Sequence, residues 1–348
     1  MSDDTELLSW YWPKGPEWLA NRLSALSKYG CASFRLVTLC KSRSGLEVPA
    51  VMIGRGPTRL LLTGGQHGGE NAGPVALYCL IDALVTGVSC LGEDVANWAG
   101  AVLEGMTIFA VPMLNVEAMA RFVRLFPEAW TGDWFPQEQY QYAHREIWSV
   151  LLHLYDAPDA PGRRRSHIPP KTWDRWVQRG WPGMRFTDEG VDLYRDLPVR
   201  GASRSVISQA LRHRACEFAP QFAVDIHNDA KPSSAHAPVR RAAPRDVDWL
   251  VGIAEQLNEA ARHNGFPVAP EVTPYGRDAR STPYFYYHGL GVGTVFLEID
   301  DGTRYPYPAP KNAPIATRRE VIGTLWSMMR RLTEIGLSTG YRRPSSAG

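Results

Sequence analysis

Residues 60–73 read LLLTGGQHGGENAG. The run from Arg59 to Thr63 is short and apolar, it stops at Gly64 and Gly65, and Ala72 to Leu84 beyond it is apolar and helix-compatible. A strand therefore feeds a helix through a turn that carries His67 and Glu70. Glycines let that turn reverse sharply and present both side chains at the carboxyl end of the strand, where open α/β sheets bind their ligands. Imidazole and carboxylate at i and i+3 can clasp one zinc ion and leave room for a third protein ligand and a water. Taken alone the HxxE spacing is weak evidence, because two such residues often fall at this separation by chance.

Upstream, Pro16 to Tyr29 places Trp18, Leu19, Leu23 and Leu26 at helical spacing with proline near the start. Ser33 to Cys40 and Leu46 to Ile53 suit two strands of a hairpin joined by the turn-like Lys41 to Gly45. Downstream, strand-like runs recur at Met106 to Met113, Phe218 to His227 and Gly291 to Ile299, and helical stretches at Val247 to Asn264 and Ile315 to Leu332. Apolar strands alternating with helices predict an α/β fold: a three-layer, mixed, mostly parallel sheet with helices on both faces. Between 129 and 190 the texture changes, for half of the twelve tryptophans fall there (Trp130, Trp134, Trp148, Trp173, Trp176, Trp181) around a Pro/Gly/Arg stretch. The expected organisation is one catalytic domain over 1–341 carrying a tryptophan-rich insertion at 129–190, with a disordered tail at 342–348. The insertion has two readings, a lid or partner surface over the cleft and a small local core.

Two further strand ends carry ionisable groups. VDIHND puts His227 at a carboxyl edge of the same sheet, and VFLEID puts Glu298 after a run dominated by apolar side chains. An ionisable group at the end of a buried strand needs a partner or a shifted pKa. His67, Glu70, His227 and Glu298 together supply a His2Glu zinc site and a separate carboxylate. That is a kit for metal-assisted hydrolysis, in which the metal acidifies a water and polarises a carbonyl while the carboxylate shuttles the proton.

Composition removes several other classes. A formal net charge of +2 over 348 residues is too mild for a protein whose task is to coat nucleic acid or an anionic membrane, so neither is an expected partner. Cys31, Cys40, Cys79, Cys90 and Cys216 are odd in number and scattered, without a CxxC pair, which argues against a disulfide framework or a zinc knuckle. The acidic start, MSDDTELLSW, lacks a basic segment followed by an apolar one, and no stretch reaches 18 consecutive apolar residues. Cytoplasmic residence is the expectation. GGQHGG also lacks the GxGxxG spacing of a dinucleotide-binding turn.

In order and number these motifs resemble the zinc-dependent metallocarboxypeptidases and their desuccinylase and aspartoacylase relatives, over about residues 15 to 335 apart from the insertion. HGGE (67–70) is similar to the family's HxxE ligand pair, LNVEAMARFVR (114–124) to its NPDG segment with a downstream arginine, and DLYRDLP (192–198) to its DLNRNFP segment. DIH (225–227) resembles the strand with the third ligand, and FLEI (296–299) the strand with the catalytic glutamate. The resemblance implies one Zn2+ per chain held by His67, Glu70 and His227, with Glu298 as general base and then general acid. It implies that Asp192 orients the imidazole of His67 and that Arg124 polarises the scissile carbonyl, with Arg121 as the competing candidate. Asn115, Tyr194 and Arg195 fall in its substrate-binding segments, Arg195 as the fork for a substrate carboxylate. Tyr275 lies near the family's mobile tyrosine, in competition with Tyr284, Tyr286 and Tyr287, and Arg280 or Arg277 near the specificity pocket.

The departures bear on substrate. Tyr194 stands where the family has an asparagine before its carboxylate-binding arginine. Asn115-Val116-Glu117-Ala118 replaces NPDG, and its alanine and the HGxE form lean toward the deacylases, whereas a helical C-terminus leans toward the peptidases. The implied activity is zinc-dependent hydrolysis of an amide bond in a small peptide or acylated amino acid with a free carboxylate. N-acyl amino acid deacylation is the alternative, and a catalytically silent binding protein is the third reading.

Overall fold

A computed structural model describes residues 11, 14–125, 167–178, 183–229, 233–237, 242–269, 272, 281–300 and 318–343. Helix α1 (Pro16–Leu26) buries Leu19, Leu23 and Leu26 as one stripe and ends in a short 3-10 turn, Ser27–Tyr29. Strands β1 (Phe34–Lys41) and β2 (Glu47–Gly54) form the expected antiparallel hairpin. Strand β3 (Thr58–Gly64) runs into α2 (Ala72–Thr86), and α3 (Ala96–Gly105) leads to β4 (Met106–Val111) and α4 (Val116–Leu125). After α5 (Pro170–Gln178) come α6 (Val206–Phe218), β5 (Phe222–Asp229), β6 (Ser234–His236), α7 (Pro244–His263), α8 (Thr282–Gly289), β7 (Gly293–Asp300) and α9 (Arg318–Thr339).

The seven described strands form one sheet in the order β1-β2-β4-β3-β5-β7-β6. The four central strands are parallel, and antiparallel partners close both edges. This is the mixed, mostly parallel sheet expected from the apolar runs. Side chains alternate along a strand, so Phe222 and Asp225 leave opposite faces of β5. Phe222 meets Trp249 of α7 and stacks on Tyr341 just after α9. On the other face α8 brings the Tyr286 hydroxyl to 3.0 Å from Thr63, the partner of Asp225 in β3. Helices therefore cover both faces. Among the described residues no helix is long and apolar enough to cross a membrane.

Several elements lie outside the sequence expectation: α3 to α6, α8, and the three-residue β6. In α4 Glu117 and Arg121 are buried along with the apolar residues. Of the tryptophan-rich segment expected to be an insertion, Trp173 and Trp176 are described, and they pack with Ile168 and Phe186 in a small cluster separate from the main core. Trp130, Trp134, Trp148, Trp181 and the tail from 344 onward lie outside the described residues.

The crossover from β3 to β4 moves to one side of β3, and the chain later returns to β5 on the other side. That reversal opens a crevice at the carboxyl ends of β3 and β5, where ligands bind in such sheets. Close packing at its base depends on two facing glycines. A Cβ on Gly73, in the first turn of α2, would stand 2.5 Å from the Cα of Gly64 at the end of β3. Gly73→Ala is expected to cost roughly 1–3 kcal/mol by overpacking. An unchanged denaturation midpoint would show that the helix can move away freely.

Candidate metal centre

The turn after β3 is pinned on several sides before its side chains are considered. Leu114 and Asn115 donate backbone N–H bonds to the Gly64 and Gly65 carbonyls, and Gly68 N–H donates to the Met184 carbonyl. Ala72 N–H, at the start of α2, donates to Asn228 Oδ1 on β5 at 2.8 Å. Gly69 has φ +88, a left-handed conformation that favours glycine, so the backbone can deliver Glu70 back toward His67. The turn and the end of β5 are thus held together, and their side chains converge.

His67, Glu70 and His227 are all buried, and one ligand atom from each lies within 4.8 Å of the others. Nδ1 of His67 is 2.6 Å from Glu70 Oε1, and Nδ1 of His227 is 2.9 Å from Glu70 Oε2. The outward ring nitrogens are engaged by separate carboxylates. Nε2 of His67 lies 3.1 Å from Asp192 Oδ1, and Nε2 of His227 lies 2.9 Å from Asp225 Oδ2. This is the arrangement that fixes ring orientation and tautomer in metal-ligating histidines.

The buried carboxylates of the cluster stabilise positive charge between them. Burial alone would raise the Glu70 carboxyl, but the charges and hydrogen bonds of His67 and His227 hold it well below the usual carboxylate range. Asp192 behaves alike: burial opposes ionisation, yet the hydrogen bond and charge of His67, then Arg195 and Arg185, bring it down to about 2. Burial pushes His227 down, and the Asp225 and Glu70 charges more than reverse that, lifting it well above its ordinary value. With both imidazoles neutral, as metal ligands must be, three buried carboxylates, Glu70, Asp192 and Asp225, stand against two guanidinium groups, Arg195 and Arg185, both beside Asp192. A dication offsets that anionic excess, and the two imidazoles with one carboxylate form a donor set suited to zinc.

Other sequence candidates fall in different places. Glu298 pairs in register with His227 across β5 and β7, so both leave the same face of the sheet. Phe296, two residues earlier on that face, contacts the rings of His227 and Tyr194 at 5.5 and 6.3 Å. Tyr194 is buried edge-on against His227 at 4.9 Å, and Arg195 lies over its ring while donating from Nη1 to Asp192 Oδ2 at 2.7 Å. Asn115 spends both ends of its amide on backbone: Oδ1 accepts from Ala118 N–H and Nδ2 donates to the Gln66 carbonyl. Arg124 is exposed in the last turn of α4, and among the described residues no hydrogen bond or ion pair links it to the cluster. Arg121 is buried and bound to Asp188 and to the Gly183 and Phe186 carbonyls. Tyr275, Arg277 and Arg280 lie outside the described residues.

Three residues of the site carry no sequence expectation. Arg185 is mostly buried, with Nη1 3.9 Å from Asp192 Oδ2, and nothing in its local sequence distinguishes it from neighbouring arginines. Gln66 donates from Nε2 to both oxygens of Asp225, at 2.6 and 2.7 Å. Asp225 itself had a usable signal, since it lies two positions before His227 and hence on the same face of the strand.

No family model matches the sequence, and no curated protein matches it. Solved structures do. A metallo-carboxypeptidase from Burkholderia cenocepacia is 15% identical with a TM-score of 0.56, covering 91% of this chain and 67% of its own. One from Pseudomonas aeruginosa, solved with (2-guanidinoethylmercapto)succinic acid, is 14% identical with a TM-score of 0.57, covering 94% and 69%. Carboxypeptidase A from Helicoverpa armigera is 12% identical with a TM-score of 0.58, covering 96% and 74%. The chain shares the metallocarboxypeptidase fold.

Proposed function

We propose that this chain, with its metallocarboxypeptidase fold, is a zinc-dependent hydrolase that cleaves an amide bond next to a carboxylate-bearing residue. The observation that carries the reading is the convergence of His67, Glu70 and His227, with each outward imidazole nitrogen held by its own carboxylate. Zinc, when bound by these three residues, supplies Lewis acidity toward a water and toward the scissile carbonyl.

The remaining chemistry belongs to the chain. Glu298 takes a proton from the attacking water through its carboxylate and returns it to the leaving amine nitrogen as the carbon–nitrogen bond breaks. Arg185 is a second cation beside the cluster, after Arg195, and stabilises the charge that develops on the carbonyl oxygen, in the role the family resemblance gives to Arg124. Asp192 holds His67 on one oxygen and Arg195 on the other, so a single buried carboxylate orients a metal ligand and the guanidinium that meets the substrate carboxylate.

The second reading is N-acyl amino acid deacylation. Tyr194 favours it: where the family resemblance places an asparagine donor, a buried ring packs against His227 and under Arg195. That removes one donor to an ordinary peptide terminus. The two readings separate by product analysis of zinc-loaded protein on matched short peptides and N-acyl amino acids. Turnover of peptides is the expected result, and a preference for acyl amino acids over every peptide would favour the deacylase reading.

A further inference from the structure

We infer that Asp225, held by Gln66 and Thr63, is a positioning residue that keeps the metal on His227, and that its task differs from that of Asp192. The inference rests on the zinc reading above. Asp225 is fully buried, and its carboxylate accepts from Thr63 Oγ1 at 2.8 Å and twice from Gln66 Nε2, while its Oδ2 faces His227 Nε2 at 2.9 Å. Its hydrogen-bonding neighbours are a hydroxyl, an amide and the imidazole, and among the described residues no arginine or lysine pairs with it.

Burying a carboxylate without a cationic side chain is costly unless a positive charge lies close by. Here the nearest candidate is the imidazole that would carry the metal. The full charge of Asp225 therefore acts through one ring on the metal and raises the basicity of that ligand. Asp192, by contrast, divides its charge between His67 and Arg195, with Arg185 also nearby. One carboxylate links the metal to substrate recognition, and the other serves the metal alone.

Gln66 makes this arrangement directional. Thr282 Oγ1 donates to Gln66 Oε1 at 3.1 Å, which leaves Nε2 turned toward Asp225. The Gln66 backbone carbonyl is also held by Asn115. The residue before His67 thus ties the HxxE turn to the carboxylate behind the third ligand, across 159 positions of sequence.

The test compares the parent, Asp225→Asn, Asp192→Asn and Gln66→Met by zinc affinity against a chelator and by the visible absorption of cobalt(II)-loaded protein. Asp225→Asn is expected to weaken zinc binding by about 10–100-fold and to shift the cobalt bands, with KM unchanged when zinc is saturating. Asp192→Asn is expected to weaken zinc and also raise KM for carboxylate substrates. Folded Asp225→Asn with parental zinc affinity and cobalt bands would overturn the inference. Should that variant not fold, Gln66→Met carries the same test: weakened zinc supports the inference and parental affinity overturns it. A parent that binds no zinc would refute the metal reading itself.

Discussion

Glu298→Gln is expected to lower kcat by about 10²–10⁴-fold, the usual worth of a positioned general base, while the protein keeps its zinc. The amide preserves shape and hydrogen-bonding reach but takes no proton from water. Glu298 is the residue for this role because it pairs in register with His227 and leaves the same face of the sheet beside that ligand. It is absent from the convergent metal-binding group, so its loss should spare the metal. Activity close to the parent value, with zinc intact, would remove Glu298 from the mechanism.

Arg185→Ala is expected to lower kcat by about 10²–10³-fold, as for loss of an oxyanion-stabilising donor, and Arg124→Ala to leave it near the parent value. The contrast follows from position. Arg185 stands 3.9 Å from the carboxylate that orients His67, whereas Arg124 is exposed at the end of α4. A reversed result, with Arg124→Ala inactive and Arg185→Ala active, would return the role to the arginine that the sequence motif selects. Arg121 is not a third option because it holds Asp188 and two loop carbonyls.

The pattern of what was legible has a physical cause. His227 and Glu298 each sit at the end of an apolar run, so strand register alone brings them side by side, and His67 and Glu70 follow in the glycine turn after β3. Asp192 was legible through motif order, and its contact with His67 spans 125 positions. Local sequence carries little about Arg185 and Gln66: no motif links Arg185 to Asp192 seven positions later, and the partner of Gln66, Asp225, lies 159 positions on. On α4 the sequence offers Arg121 and Arg124 three positions apart, and only packing against the 183–188 loop shows which one is buried. The tryptophan-rich segment illustrates the same limit. Aromatic content marks it, while the small cluster of Trp173, Trp176, Ile168 and Phe186 is visible only once the chain is folded.

Zinc stoichiometry tests the central claim most directly. Purified protein is equilibrated with excess zinc, freed of unbound metal and assayed for metal per chain, beside Glu70→Ala and His227→Ala. One retained equivalent in the parent and none in either variant is the predicted result; a parent that retains no zinc, or variants that retain as much as the parent, would contradict the proposed centre.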